Sequence, residues 1–291
     1  MSDGPIRPLT IVVTGGDGQL GQELVRLCSK RCEVVGLNRS QLDVTDKYQC
    51  LLGIKRLQPD AIVHAAAYTA VDRAETDKDG AWRVNVEGTR NVAGAAEAVG
   101  ASFCYISTDY VFDGEGTIPY GELDVPNPRS VYGKTKLEGE RLASALCEKT
   151  FIVRTSWVYG KYGNNFVRTM LRLARQNTKL KVVNDQKGSP TYTHDLAKFI
   201  IELVQTKKYG VYHATNSGHC TWYEFAKAVF EEAGMEHIPI APCTTEEYPR
   251  PAPRPKYSVL GNDNLIHAGF QPLRHWRAAL RDYMSRDCGG D

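Results

Sequence analysis

The feature that most constrains the fold is a run of three regularly spaced glycines near the start of the chain. Gly15, Gly18 and Gly21 follow a β-branched run at residues 9–13 and precede a helical pattern at 20–28. At a strand-to-helix junction, such glycines permit a tight turn, a close approach of the backbone to a pyrophosphate, and packing of the helix against the sheet. The helix N-terminus then favours the anion. An ordinary glycine-rich turn is the alternative, but the position after a first strand favours a dinucleotide site.

Strand-like and helix-like segments alternate along the chain. Apolar and β-branched runs predict strands at residues 9–13, 33–37, 61–64, 102–106, 151–154 and 211–214. Helical patterns predict helices at 20–28, from Thr45 or Asp46 onward, and at 82–99, 132–146, 166–176, 194–204 and 222–233. This alternation predicts an α/β fold with a Rossmann-type, doubly wound parallel sheet of the seven-stranded type.

The expected organisation has two parts. Residues 1–155 are predicted to form the dinucleotide-binding Rossmann domain. Residues 156–291 are predicted to form mainly a smaller C-terminal substrate-binding lobe, with part of 180–215 returning to the sheet. Ligands of such sheets bind outside the carboxyl ends of the strands, so cofactor and substrate are expected to meet between the two parts. The proline-rich stretch 248–255 cannot be a helix or an inner strand, because its prolines lack N–H groups. It is either a linker or a loop whose arginines close over an anionic ligand.

Composition argues against several classes of function. The net charge is +2 with both signs mixed along the chain, which favours neither a nucleic acid nor a membrane as partner. No apolar stretch approaches the ~18 residues of a membrane span, and residues 1–8 lack the apolar region of a secretion signal. The eight cysteines form no Cys-x-x-Cys pair and resemble no zinc site. These observations predict a cytoplasmic protein with free thiols, a small-molecule substrate, and a monomer or homodimer.

A tyrosine and a lysine stand four positions apart in the helical stretch 132–146, as Tyr132 and Lys136. Residues i and i+4 lie on one face of a helix, so the phenol and the ammonium point the same way. A free tyrosine has a pKa near 10, and a neighbouring cation favours its ionised form. The spacing therefore predicts that Tyr132 exchanges a proton in the reaction and that Lys136 lowers its pKa. Such a pair is common by chance, but it becomes specific downstream of a dinucleotide-binding turn.

The residue that ends the second strand distinguishes NAD from NADP in such folds. Here the tip contains Asn38 and Arg39, with no carboxylate to grip both ribose hydroxyls. Arg39 either pairs with a 2′-phosphate or is a solvated loop residue. Asp43 is placed to hydrogen-bond adenine. Because the tip offers Arg39 and no carboxylate, the preferred cofactor is NADPH, with NADH possible. The predicted cofactor set is completed by Gln19, Leu20, Val44, Ala65, Ala66, Ala67, Tyr68 and Thr69.

Several further stretches carry a family resemblance. They lie at residues 12–21, 64–72, 107–114, 131–137, 154–160, 163–166 and 188–191, and in the proline-rich loop that contains Arg254. On these motifs the chain resembles the extended short-chain dehydrogenases/reductases, and within them the dTDP-4-dehydrorhamnose reductase family. The resemblance implies NADPH-dependent reduction of the C4 carbonyl of dTDP-4-dehydro-L-rhamnose to dTDP-L-rhamnose, the last step of dTDP-rhamnose biosynthesis.

The resemblance also implies roles for individual residues. Tyr132 would protonate the carbonyl oxygen while nicotinamide delivers hydride, Lys136 would hold the nicotinamide ribose, and Thr108 would orient the carbonyl. Substrate contacts are implied at Thr108, Asp109, Trp157, Asn165 and Arg254. Taken singly, Thr108 could cap the next turn, Trp157 could be packing, and Asn165 could be part of a turn. The ordered set favours the functional interpretation.

A metal site is not predicted, although some members of the family hold magnesium between subunits with acidic residues from two helices. Glu23 matches the first of these positions. His194 occupies the place of the later acid, and the neighbouring Asp195 need not point the same way. The implied Mg²⁺ is therefore uncertain, and a metal-bridged dimer is not favoured.

Two other functions are compatible with the same fold. A nucleotide-sugar epimerase or dehydratase is one; related dehydratases carry Asp-Glu after the threonine, where this chain has Asp109 and Tyr110. A non-catalytic regulatory subunit resembling the β subunit of methionine adenosyltransferase is the other. The intact Tyr132 and Lys136, together with Trp157 in its own motif, favour reduction over both.

Overall fold

The structure is a computed structural model that describes residues 8–27, 32–176 and 179–288. Its strands are β1 Leu9–Thr14, β2 Cys32–Leu37, β3 Ala61–His64, β4 Ser102–Thr108, β5 Thr150–Thr155, β6 Val158–Tyr159, β7 Leu180–Val183, β8 Lys187–Gly188, β9 Thr191–Tyr192, β10 Gly210–His213, β11 Cys220–Thr221 and β12 Ile240–Cys243. Its α-helices are α1 Gln19–Arg26, α2 Lys47–Leu57, α3 Val71–Ala74, α4 Lys78–Trp82, α5 Gly88–Val99, α6 Val131–Leu146, α7 Phe166–Arg175, α8 Thr193–Val204, α9 Trp222–Glu232, α10 Asp263–His267 and α11 Trp276–Arg286. A π-helix at Arg83–Glu87 joins α4 to α5, and a short 3-10 helix at Asp109–Val111 follows β4.

The central sheet is parallel, with the strand order β2-β1-β3-β4-β5-β10. Helices cover both faces, so its inner strands are buried on both sides and read as continuous apolar runs. On one face the core joins Val13 and Val63 to Leu24 of α1 and Ile200 of α8. On the other face a second core packs against α2, α5 and α6. The predicted Rossmann-type fold class is confirmed.

The sheet has six strands among the described residues, where a sheet of the seven-stranded type was expected. The reason lies after β5. The next strand, β6, is only two residues long and pairs with β9 in a separate two-stranded sheet. Residues just past β5 therefore lead away from the large sheet and into the C-terminal part of the chain.

The C-terminal part has a hydrophobic core of its own. This core joins α7, α9 and α11 through buried residues such as Val167, Phe225 and Leu280. Two further small sheets, β7 with β12 and β8 with β11, lie at its edge. From the range 180–215, α8 and β10 pack with the central sheet, whereas β7, β8 and β9 pair outside it.

Several predicted boundaries differ from the structure. The helix expected at 82–99 is part of a longer helical run that starts at Lys78 and is interrupted by the π-helix. The helix expected at 20–28 ends at Arg26, and residue 28 lies outside the described residues. The proline-rich loop 248–255 contains no helix or strand, as expected. No helix in the described ranges is long and apolar enough to cross a membrane.

Candidate active site

A single large cleft opens at the carboxyl ends of the central strands. Its volume is about 780 Å³, and its walls come from the glycine-rich turn, from the ends of β3, β4 and β5, and from the C-terminal lobe. Most of the predicted site residues line it: Gly15, Gly18, Gln19, Leu20, Gly21, Arg39, Asp43, Val44, Ala65, Ala66, Ala67, Tyr68, Thr69, Thr108, Asp109, Tyr132, Lys136 and Trp157. Three predicted residues do not line it, namely Asn38, Asn165 and Arg254.

The glycine-rich turn fits a pyrophosphate. Gly15 has a φ of +70°, and a side chain there would come within 2.7 Å of the Ala66 amide nitrogen. Only glycine permits this conformation and this close packing. Gly18 is the N-cap of α1 and, having no side chain, leaves the helix end uncovered. An uncapped helix N-terminus at a cleft is a suitable site for an anionic phosphate.

The tip of β2 holds the residues expected to read the ribose and adenine. The Arg39 side chain is 78% exposed, and its Nε lies 3.4 Å from Asp43 Oδ2. Asp43 Oδ1 accepts hydrogen bonds from the backbone and hydroxyl of Thr45. The Asn38 side chain instead accepts from Ser40 and Gln41 and so stabilises the turn. Arg39 is thus an exposed cation at the rim of the cleft, and Asn38 shapes the loop that presents it.

Thr108 ends β4 and lies in the cleft. Its hydroxyl donates to Asp109 Oδ1 at 3.0 Å and accepts from the Tyr110 amide at 3.2 Å. The capping contact foreseen as the simpler alternative is therefore present, and the same hydroxyl also lines the cavity. These two contacts fix the Thr108 side chain beside Tyr132 without removing it from the cleft.

Tyr132 and Lys136 lie on the buried face of α6, which begins after the N-cap Ser130. Burial raises the pKa of Tyr132 to about 12, and a hydrogen bond with Thr108 opposes the rise. Burial also lowers the pKa of Lys136 to about 7, opposed by the negative charge of Glu140. The expected lowering of the tyrosine pKa is therefore wrong for this structure. Desolvation outweighs any charge effect, and the Lys136 ammonium donates to the Ile106 carbonyl at 2.6 Å.

Asp109 is the most unusual carboxyl group of the cleft. It is 2% exposed, and its Oδ1 accepts a hydrogen bond from the Thr108 hydroxyl. Burial raises the pKa of Asp109 to about 6, opposed by hydrogen bonds from the Ser258 and Thr108 hydroxyls. Oδ2 meets no donor in full hydrogen-bond geometry among the described residues, and a buried polar atom of this kind is costly. The Asp109 carboxylate therefore keeps the capacity to accept a further hydrogen bond in the cleft.

The substrate side of the cleft is aromatic. Trp157 lies between β5 and β6 with a φ of +47°, a backbone conformation that bulky residues rarely adopt. Its indole stacks on that of Trp222, with ring centroids 3.5 Å apart and an interplanar angle of 7°. Asn165 is the N-cap of α7 and donates to the Gly160 carbonyl at 2.9 Å. The adjacent Asn164 lines the cleft in its place.

The proline-rich loop is held near the cleft by ion pairs. Asp72 is the second residue of α3. Arg254 lies 2.9 Å from its carboxylate, and Arg250 pairs with the same carboxylate. The Ala252 amide also donates to Asp72. Arg254 faces a small cavity of about 30 Å³ beside Tyr110 rather than the main cleft. Asp72 thus pairs with both arginines of the loop and offsets one of their two positive charges.

Sequence reasoning did not assign several residues of the cleft wall, namely Ser107, Tyr110, Thr155, Ser156, Asn164 and Trp222. Five of them fall in motif stretches quoted above and could have been assigned from them, namely Ser107, Tyr110, Thr155, Ser156 and Asn164. Trp222 begins a helix whose pattern indicates only a packed face.

Asn85 is a further residue that the sequence gave no reason to single out. From the π-helix it accepts from the Tyr68 amide at 2.8 Å and donates to Thr135 of α6 at 2.9 Å, so it ties the cofactor loop to the helix of Tyr132.

The two positions compared with a metal site form an ion-pair network. Glu23 is fully buried and lies 2.6 Å from Arg26 and 2.8 Å from His194 Nδ1. The other ring nitrogen of His194 lies 3.1 Å from Arg286. Asp195 points elsewhere and pairs with Arg274 at 2.8 Å. Arg26 therefore forms an ion pair with Glu23, His194 is its second polar neighbour, and the described residues contain no cluster of three His, Cys, Asp or Glu that could hold a metal.

Comparisons with known proteins agree with this geometry. The family described as the RmlD substrate binding domain matches the chain over residues 9–288. The spore coat polysaccharide biosynthesis protein SpsK of Bacillus subtilis (strain 168) is 46% identical over 275 residues, which is 94% of this chain and 96% of that protein. The dTDP-4-dehydrorhamnose reductase of Aggregatibacter actinomycetemcomitans is 43% identical, over 94% of this chain and 97% of its own. The crystal structure of dTDP-4-dehydrorhamnose reductase from Bacillus anthracis in complex with NADP has a TM-score of 0.94 and 42% identity, covering 96% of this chain and 99% of the other.

Proposed function

The chain belongs to the RmlD substrate binding domain family, and we propose that it reduces the C4 carbonyl of dTDP-4-dehydro-L-rhamnose with NADPH. The product is dTDP-L-rhamnose. The observation that carries the proposal is the convergence of Thr108, Tyr132 and Lys136 on one cleft with the glycine-rich turn. Relatives named dTDP-4-dehydrorhamnose reductase, which match nearly the whole chain, support this substrate.

The residues of the cleft fit a bound NADPH. The uncapped end of α1 at Gly18 would hold the pyrophosphate, and Arg39 would meet the 2′-phosphate. Lys136 would exchange its contact with the Ile106 carbonyl for the nicotinamide ribose. When bound, NADPH supplies the hydride that reduces the carbonyl carbon.

The protein's own residues then manage the oxygen. As the carbonyl carbon gains hydride, its oxygen becomes negative, and a donor aimed at that oxygen stabilises the charge where it forms. Tyr132 gives its phenolic proton to the oxygen, which yields the alcohol. Thr108 turns its one hydroxyl hydrogen from Asp109 toward the same oxygen and so orients the carbonyl. Because the pKa of Tyr132 is raised to about 12 by burial, the tyrosine is fully protonated before the reaction and ready to donate.

A turnover assay tests the proposal directly. The purified chain is mixed with dTDP-4-dehydro-L-rhamnose and NADPH, and the loss of NADPH absorbance is followed together with the sugar product. We expect stoichiometric formation of dTDP-L-rhamnose. Loss of water from the sugar without NADPH consumption would indicate a dehydratase. Cofactor binding without any turnover would indicate a regulatory subunit, and either result would overturn the proposal.

Partners, location and cofactor preference belong to the same proposal. We infer a cytoplasmic enzyme that acts as a monomer or homodimer and prefers NADPH over NADH. The ion pair between Arg26 and Glu23 favours assembly without a bridging metal, because a cation already neutralises that carboxylate. Light scattering with and without a chelator would show the oligomeric state and whether that state depends on a bound metal. A dimer that dissociates when the chelator is added would contradict the metal-free arrangement.

A further inference from the structure

The stacked indoles of Trp157 and Trp222 are the least expected feature of the cleft. Both side chains line it, and both are partly exposed there. Trp157 keeps a φ of +47°, which a bulky residue adopts only when the surroundings impose it. One part of these surroundings is a backbone hydrogen bond, in which the Trp157 carbonyl accepts from the Thr191 amide at 3.1 Å. The contacts of the indole ring supply the other restraints.

Two neighbours hold the indole from different sides, and one small sheet brings them together. The antiparallel strands β8 and β11 pair Gly188 with Cys220, and Trp222 follows directly on β11. A side chain at Gly188 would lie 2.5 Å from Cε2 of Trp157, so glycine alone leaves room for the ring edge. Trp222 covers the ring face, and Phe166 supports Trp222 from behind at 4.6 Å between ring centroids.

The stack lies where the reacting sugar must be. Thr108 pairs with Thr155 in the register of β4 and β5, so Trp157 comes two residues after the strand neighbour of Thr108. A sugar whose carbonyl contacts Thr108 and Tyr132 would reach the indole pair. Aromatic faces that line a cleft with few polar groups are typical of sites that bind small ligands by shape.

We propose that Trp222 is a positioning residue that holds the Trp157 indole against the cleft, so that the stacked pair forms an aromatic platform for the sugar ring of the substrate. This inference rests on the proposed function. Without Trp222 the Trp157 ring loses one whole face of contact and rotates freely, while the proton donor and the cofactor turn are untouched. Substrate binding is then weakened and the chemical step is preserved.

The test compares Trp222→Ala, Trp222→Phe and Gly188→Ala with the wild-type chain, with Trp82→Ala as control. Trp82 is 47% exposed and does not line the cleft. We expect Trp222→Ala to raise KM for the nucleotide sugar roughly 10-fold, with kcat within about twofold and the Kd for NADPH unchanged. Trp222→Phe should raise KM much less than Trp222→Ala, because it keeps an aromatic ring at this position. Gly188→Ala should raise KM because it displaces the same ring from its edge.

Circular dichroism supplies a readout of the stack itself. Stacked indoles whose transition moments cross at an angle within the parallel ring planes give an exciton couplet in the far ultraviolet, which Trp222→Ala should abolish and Trp82→Ala should retain. A folded Trp222→Ala with normal KM, or one that loses kcat alone, would overturn the role of Trp222 and leave the proposed function standing. If Trp222→Ala does not fold, the KM values of Trp222→Phe and Gly188→Ala decide. A wild-type chain that fails to reduce the sugar would overturn the proposed function, and this inference with it.

Discussion

At the scale of single residues, burial moves the two ionisable groups on α6 in opposite directions. The phenol of Tyr132 becomes harder to ionise and the ammonium of Lys136 becomes easier to neutralise, because desolvation penalises the charged form of each. A bound cofactor changes this balance for Lys136, since ribose hydroxyls offer it polar partners. Tyr132 is thus already in its proton-donating form in the empty cleft, whereas Lys136 keeps its charge more readily when the cleft is filled.

Replacing Tyr132 with Phe should remove the proton and little else. Turnover is expected to fall roughly 10²–10⁴-fold, because the ring and its packing remain while the donor is lost. Single-turnover rates measure the effect, with thermal melts to confirm folding and a titration to show unchanged NADPH affinity. Tyr110→Phe is the matched control. Its ring meets that of Tyr132 edge-on with centroids 5.6 Å apart, and turnover should stay near normal. A folded Tyr132→Phe enzyme with the wild-type rate would remove Tyr132 from the mechanism.

Lys136 should lower the stability of the free protein. Its pKa is lowered from 10.5 to about 7 in the fold, so the unfolded chain binds more protons between these pH values and stability rises with pH there. Lys136→Met should therefore melt at a higher temperature than wild type at pH 7, and the difference should shrink as pH rises toward 10. The variant should lose turnover and NADPH affinity. Melts of both proteins at several pH values test this, and a variant that is less stable at pH 7 would contradict it.

Thr108 should matter less than Tyr132. Thr108→Val keeps the shape of the side chain but removes a hydroxyl that orients the carbonyl. A single buried hydrogen bond of this kind contributes on the order of 1–3 kcal/mol when its partner is left unpaired, so the loss of turnover should be smaller than for Tyr132→Phe. Single-turnover rates compare the two variants. A loss as large as that of Tyr132→Phe would assign Thr108 a part in proton transfer itself.

At the scale of elements, the loop after β2 decides which cofactor is preferred. Arg39 is exposed and only weakly paired with Asp43, so it is free to turn toward a 2′-phosphate. Arg39→Ala should weaken NADPH binding more than NADH binding, because only NADPH carries that phosphate. Titrations with both cofactors measure the difference, and Arg56→Ala, an exposed arginine at the end of α2, is the control. Equal weakening for both cofactors would show that Arg39 does not read the 2′-phosphate.

Elements differed in how well the sequence predicted them. The strand β3 was predicted at its observed bounds because a short apolar run at residues 61–63 follows Gln58, Pro59 and Asp60. The π-helix after Trp82 was not predicted, because the sequence at 82–99 also fits one continuous alanine-rich helix. The two-residue strands β6, β8, β9 and β11 were missed because no run of that length has a pattern of its own. Their pairing depends on tertiary contacts, and it is these strands that place Trp157 against Trp222.

The same limit applies to the site. The motif positions at the ends of the central strands could be predicted, because a parallel sheet brings its carboxyl ends to one edge. The partners of those residues could not. Nothing in the sequence indicates that Asp72 pairs with Arg250 and Arg254, since these residues are separated by most of the chain and meet only through the folded loop.

At the scale of the whole molecule, the cleft is shared by two halves with separate hydrophobic cores. The sheet half supplies the glycine-rich turn and Arg39, and the C-terminal lobe supplies Asn164 and Trp222. The two ligands should therefore stabilise the fold through different residues. Any ligand that binds only the folded chain stabilises it by mass action, by about 2.7 kcal/mol at a concentration 100 times its Kd.

Thermal shifts of variants should separate these contributions. Arg39→Ala should reduce the shift caused by NADPH and keep the shift caused by dTDP-L-rhamnose. Trp222→Ala should do the reverse, because its ring lies on the sugar side of the cleft and far along the chain from the cofactor turn. Each protein is melted alone, with NADPH and with the nucleotide sugar, at fixed ligand concentrations, and Trp82→Ala should show both normal shifts. If either variant reduced both shifts equally, the two ligands would share these residues, and the division of the cleft between a cofactor half and a sugar half would be wrong.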